Sequence, residues 1–201
     1  MAADSRSPVA PGPRLAGPAD VAVVTALVES AYRGDASRAG WTTEADLLDG
    51  QRTDRDEVAE LIGADGSAIV LLEDERGLLA CCNVEHRGTV GYVGMVAVRP
   101  GEQGRGTGRR LLAAAERHLR ERWRLDVAEM TVLRQRPELI AWYERRGYAR
   151  TGELRPFPYG DERYGIPRRP DLVLAVLRKR LDGSPIGEGG ADGADRASSV
   201  S

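Results

Sequence analysis

Gln103-Gly104-Arg105-Gly106-Thr107-Gly108 lies between an apolar stretch, residues 89–100, and an amphipathic one that starts Arg109-Arg110-Leu111-Leu112. Glycine at every second position lets the backbone close up, so that successive N–H groups and the positive end of the following helix dipole converge on an anion. The charges agree. No acidic residue occurs from Gln103 to Ala115, while Arg105, Arg109 and Arg110 crowd the predicted helix start, where each cation costs about 0.3–1 kcal/mol against the macrodipole. A phosphate would offset that cost. Two common phosphate motifs do not fit. Gly101 and Gly106 have the gap of a P-loop, but Thr107 stands where its lysine is required. A dinucleotide fingerprint needs G-x-G-x-x-G in a parallel βαβ unit, whereas these glycines run G-x-G-x-G and the strands upstream read as hairpins.

The loop resembles the [QR]-x-x-G-x-[GA] pyrophosphate loop of the GNAT N-acetyltransferases, and as in that family it follows a strand ending Val96-Ala97-Val98-Arg99-Pro100. A second stretch, Ala141-Trp142-Tyr143-Glu144-Arg145-Arg146-Gly147-Tyr148, resembles the C-terminal signature of the same family, Y-E-[KR]-x-G-[FY]. The resemblance implies acetyl-CoA as co-substrate, held in a V-shaped opening between splayed strands. Met95, Val96 and Val98 would hold it at the strand end, chiefly through the amides of Val96 and Val98. Gln103, Gly104, Arg105, Gly106, Thr107, Gly108 and Arg109 would surround its pyrophosphate. It also implies that the Tyr143 phenol lies near the thioester sulfur, where a phenol with a pKa of about 10, protonated at neutral pH, is expected to protonate the departing thiolate. Many relatives carry an asparagine just before that helix; here the run is Arg134-Gln135-Arg136-Pro137.

Acetyl transfer needs a neutral amine, and an unperturbed lysine-like amine, with a pKa of about 10.4, must first lose a proton to a base or a water chain. Some relatives use a glutamate on the strand before the loop, but residues 90–98 contain no carboxylate. Glu85 and Glu129, on the neighbouring strands, are the candidate bases; each also reads as a solvent-facing strand residue. For the acceptor, the resemblance makes the connection over residues 33–48 one wall of its pocket, with Arg38, Trp41 and Glu44 as candidate contacts. The plainer reading is a surface loop pinned by one tryptophan. Phe157, Tyr159 and Tyr164 fall in a proline- and glycine-rich loop, residues 155–171. There they form either a pocket wall, with Asp161 and Glu162 attracting an amine, or an Ω-loop packed on itself.

The elements that must position these residues follow from periodicity. Apolar residues at helical spacing predict helices over residues 19–32, 109–123 and 137–146, and Thr53-Asp54-Arg55-Asp56 reads as a capping box opening another, with Val58, Leu61 and Ile62 on its apolar face. Residues 67–74, 78–86 and 89–98 read as strands joined by turns short enough to force an antiparallel meander. Further strands are predicted at 128–133, 148–154 and 172–181. The fold class is α/β of the α+β type, a mixed, mostly antiparallel sheet with helices on both faces, as in GNAT enzymes. One domain, residues 18–182, is expected between tails at 1–17 and 183–201 whose composition has little to bury.

At 201 residues and a net charge of −2, nothing points to nucleic acid, and no apolar run reaches the roughly 20 residues of a membrane span. Cys81 and Cys82 are adjacent on a predicted strand, so they face opposite ways and exclude a disulfide. With no signal-peptide pattern, a cytoplasmic location is expected; no metal is implied, and a homodimer stays open. The function read from the sequence is acetyl transfer from acetyl-CoA to a primary amine of a small molecule by direct attack in a ternary complex. The alternatives are a peptide or protein amine as acceptor, or a non-catalytic acyl-CoA-binding module.

Overall fold

A computed structural model describes residues 12–33, 44 and 46–184. Its larger sheet is built on strands β1 (Arg14–Leu15), β3 (Ser67–Asp74), β4 (Gly77–Arg87), β5 (Val90–Val98), β6 (Val127–Leu133), β7 (Ala149–Pro156) and β9 (Val173–Arg180). The order across the sheet is β1-β3-β4-β5-β6-β9-β7. A separate two-stranded ladder joins β2 (Leu48–Asp49) to β8 (Ile166–Pro167). Every pairing is antiparallel except β5 with β6, which is parallel and limited to Gly91↔Ala128 and Tyr92↔Glu129. Beyond Tyr92 the two strands diverge, and the opening between them faces the loop that follows β5.

The two-residue period of the strands sorts the core into two layers. Ile69, Leu71, Cys81, Met95 and Ala97 face helices α1 (Val21–Tyr32) and α2 (Arg55–Gly63), meeting Val24, Leu27, Val28, Ala31 and Val58. Val70, Leu72, Cys82, Val84, Val93 and Val96 face the other way, toward Leu111, Leu112, Ala115 and Leu119 of α3 (Thr107–Arg122) and Ile140 and Tyr143 of α4 (Pro137–Glu144). The adjacent cysteines thus serve opposite layers, and both are free and buried. Among the described residues no helix is long and apolar enough to cross a membrane.

Three expectations change. Residues 14–17, expected in a tail, are part of the fold. Arg14 and Leu15 pair with Leu71 and Val70, and the Arg14 guanidinium bridges Asp20 (2.7 and 2.8 Å) and Glu73 (2.8 and 2.6 Å). Two carboxylates held by one fork offset the ordering entropy that the composition alone does not cover. The cap of α2 is Asp54 rather than Thr53: the Asp54 carboxylate accepts from the Glu57 amide at 2.8 Å, while the buried Thr53 hydroxyl donates to the Glu57 side chain at 2.7 Å. The central helix begins at Thr107, two residues before its first arginine pair, because Gly106 in the left-handed region serves as its N-cap.

Candidate active site

The site grows out of an irregularity in β5. Cys81 pairs with Ala97 and Asn83 with Gly94, so Met95 and Val96 together oppose Cys82, a β-bulge. Met95 takes φ 51°, a left-handed conformation that a branched-free side chain tolerates at a cost of order 1–3 kcal/mol. The bulge lies where β6 has already departed, so it re-aims the Val96 backbone beside the opening. The Tyr32 hydroxyl, on α1, donates to the Val96 carbonyl at 2.7 Å.

On one side of this point lies a cavity of about 590 Å³. Val96 and Val98 line it from β5; Gln103, Gly104, Arg105, Gly106, Gly108 and Arg109 from the loop and the start of α3; and Leu139, Trp142, Tyr143 and Arg146 from α4 and its terminal turn. The three glycines do different work. Gly104 and Gly106 have φ of 83° and 81°, and a Cβ on either would meet open space, which leaves room for an anion against the backbone. Gly108 instead lets two helices close: its Cβ would lie 3.2 Å from the Trp142 ring. The Arg146 guanidinium stacks 3.4 Å from the Trp142 ring centroid and donates to the Trp142 carbonyl at 2.6 Å. Burial first, then repulsion from Arg145 and Arg109, lowers its pKa, an unfavourable setting that a bound anion relieves. The cationic cluster is partly offset from just outside the loop, since Glu102 pairs with Arg76 and, at 3.2 Å, with Arg105.

A second cavity, about 350 Å³, opens on the other side and shares Val96, Leu139 and Tyr143 with the first. Its walls include Tyr32, Glu44, Arg52, Tyr92, Met95, Thr131, Arg136, Phe157 and Tyr164. Tyr92 and Thr131 join their hydroxyls at 3.0 Å, and Arg87 lies over the Tyr92 ring at 3.6 Å. Glu44 pairs with Arg33 at 3.0 Å and is the only carboxylate among the described residues lining either cavity.

The residues expected from sequence divide accordingly. Tyr143 stands at the junction, its pKa raised by burial. Glu44 and Phe157 line the second cavity, and Tyr164 joins them. Tyr159 does not: its hydroxyl donates to the Arg169 carbonyl at 3.0 Å and accepts from the Leu172 amide at 2.7 Å, pinning the loop on itself. Met95, expected against the cofactor, lines the second cavity, and Thr107 is buried at the helix start without lining the first. Asp161 caps a short turn and pairs with Arg163 at 2.6 Å, and neither it nor Glu162 lines a cavity. Arg38 and Trp41 lie outside the described residues.

Neither candidate base lines a cavity. Glu85 accepts from Asn83 at 2.7 Å and pairs with Arg87 at 2.8 Å, which orients that guanidinium over Tyr92. Glu129 is 3% exposed. Burial would raise its pKa, but bonds from Arg155 (2.9 Å) and Arg178 (2.8 Å) outweigh this and hold it low, so it is a poor proton acceptor. Sequence reasoning missed Leu139, Trp142 and Arg146, which follow one another at three- and four-residue spacing in the segment that carries Tyr143, the available signal, and it missed Arg52 and Arg136, for which there was none. Among the described residues no group of three His, Cys, Asp or Glu is placed to hold a metal ion.

Comparison with known proteins agrees with this geometry. No curated protein matches the chain in sequence. Solved structures that resemble it include the ribosomal-protein-S18-alanine N-acetyltransferase of Escherichia coli (15% identity, TM-score 0.62, covering 90% of this chain and 98% of that one). A Salmonella typhimurium protein solved with its cofactor acetyl-CoA is also similar (20%, TM-score 0.61, 87% and 97%). So is a spermidine N-acetyltransferase chimera from Vibrio cholerae and a human enzyme (17%, TM-score 0.59, 85% and 95%). At such identities the likeness is one of fold. Residues 26–148, which carry β5, the glycine loop and Tyr143, match the family profile described as Acetyltransferase (GNAT) family. The chain therefore belongs to the GNAT family of acetyl-CoA-dependent N-acetyltransferases.

Proposed function

We propose that this chain transfers the acetyl group of acetyl-CoA to the primary amine of a small molecule in a ternary complex. The observation that carries the reading is the meeting of two cavities at Val96, Leu139 and Tyr143, which lets a cofactor and an acceptor approach one another from opposite sides. The larger cavity suits acetyl-CoA, which would supply the acetyl group as a thioester. The open positions beside Gly104 and Gly106, with Arg109 and Arg146 near, suit its pyrophosphate.

The chain's own residues then have distinct roles. Glu44, which is ion-paired with Arg33 but is the only described carboxylate in the walls, attracts the ammonium and accepts its proton directly or through water. The Tyr143 phenol, kept protonated by burial, gives its proton to the thiolate as it leaves and regains one from solvent. Closure by the 155–171 segment, through Phe157 and Tyr164, supports a small acceptor over an open peptide groove. The test is release of free CoA thiol from acetyl-CoA in the presence of a library of amines. Thiol release dependent on small amines is expected; release with peptides alone, or none with any amine despite cofactor binding, would refute the reading.

A further inference from the structure

The second cavity is cationic. Arg52, Arg87, Arg136 and Arg155 line it against the single carboxylate of Glu44. Three of these arginines have acidic partners. Arg87 pairs with Glu85, Arg155 with Glu129 and Glu153, and Arg136 with Glu138. Arg52 differs. Its guanidinium makes no hydrogen bond or ion pair with any described residue, and it sits 5.2 Å from the centroid of the Tyr32 ring. Tyr32 is the residue whose hydroxyl holds the Val96 carbonyl at the junction of the two cavities, so Arg52 is one aromatic ring away from the point of acetyl transfer. Glu44 offsets the burial of this guanidinium through space, while its N–H groups, which no described residue accepts from, are left to meet a ligand oxyanion.

Glu44, Arg52 and Arg136 line the same cavity as Tyr32, so one negative and two positive groups share its walls with that phenol. That pattern complements a small zwitterion. It opposes a polyamine, whose second ammonium would meet arginines. Resting on the acetyltransferase reading above, we propose that the acceptor is an amine bearing its own oxyanion, an amino-acid-like molecule whose anionic group is held by the Arg52 fork while Glu44 receives the ammonium. The cavity's volume of about 350 Å³ accommodates such a molecule.

The experiment compares kcat/KM for matched pairs of amino acids and their carboxamides, with aminoalkyl phosphonates to separate carboxylate from phosphonate recognition and spermidine as a polyamine control. The wild type should favour the anionic member by roughly tenfold to a hundredfold, the range for hydrogen bonds to charged groups. Arg52→Gln should bring that ratio near one without changing the dissociation constant for acetyl-CoA, and Arg52→Lys should keep part of it because charge without the fork is a weaker match. A wild type that prefers carboxamides or spermidine, or an undiminished preference in folded Arg52→Gln, overturns the proposal. If no amine releases thiol, the acetyltransferase reading fails on its own account. Calorimetry then decides the present point: N-acetyl amino acids should bind the CoA complex about tenfold or more tightly than N-acetyl carboxamides, and equal binding overturns it.

Discussion

The Tyr32 hydroxyl and the Val96 carbonyl, 64 residues apart in the chain, meet in a buried 2.7 Å hydrogen bond that ties α1 to the bulged segment of β5. The bond fixes the strand where β6 no longer supports it. Tyr32→Phe keeps the ring but deletes a buried hydrogen bond to the Val96 carbonyl, at a cost of about 0.5–1.5 kcal/mol. Urea denaturation should record that loss together with a lower kcat. Stability unchanged within error would show that the bond does not hold the bulge.

Gly106 combines a φ of 81° with open space on the cavity side. Gly106→Asp would strain the backbone and put a carboxylate where the cationic loop collects an anion. The dissociation constant for acetyl-CoA should rise about tenfold or more, equivalent to 1.4 kcal/mol. A calorimetric titration giving the parent affinity would remove this loop from the cofactor site.

Tyr143 is 6% exposed and lines both cavities. Tyr143→Phe keeps its edge-to-face contacts with Trp142 and Tyr148, at 4.9 and 5.9 Å, but removes the phenol proton. The kcat should fall by roughly 10² to 10⁴ if the phenol protonates the leaving group, with acetyl-CoA affinity and melting temperature nearly constant. Turnover within twofold of the parent, about 0.4 kcal/mol, would exclude that role.

The Arg14 clamp makes stability depend on acid. Hydrogen bonding to Arg14 pulls the Asp20 carboxyl from 3.8 down to about 2, and Glu73 is lowered by the same guanidinium. A folded pKa below the unfolded one stabilises above the unfolded value, and this contribution is lost as pH falls through about 4 toward about 2. Melting curves of the parent and Arg14→Ala should therefore differ at pH 6 and converge as the pH approaches 2. A gap independent of pH would assign Arg14's contribution to packing instead.

Much of this architecture is legible in the sequence because its signals are local. The β3–β5 meander rests on two-residue alternation and short turns, and the glycine loop announces an anion through neighbours within a few positions. The bulge is silent because Met95 occupies a left-handed conformation that a glycine would have advertised. Arg14 is silent because Glu73 is 59 residues away. The cationic cavity draws Arg52, Arg87, Arg136 and Arg155 from four separate stretches of chain, so no window of sequence contains it. Tyr159 and Tyr164 share one loop, and only the hydrogen bonds that hold the Tyr159 hydroxyl decide which aromatic lines the cavity.

The divergence of β5 from β6 makes the large sheet a seam as well as a cleft. Two residue pairs, Gly91↔Ala128 and Tyr92↔Glu129, are the whole ladder between the N-terminal meander and the three C-terminal strands β6, β9 and β7. Any molecule that spans the gap acts as a splint across it. Amide hydrogens of β6 and β9 should therefore exchange more slowly when the cleft is filled, and occupancy of a binding site would register as cohesion between two halves of one sheet.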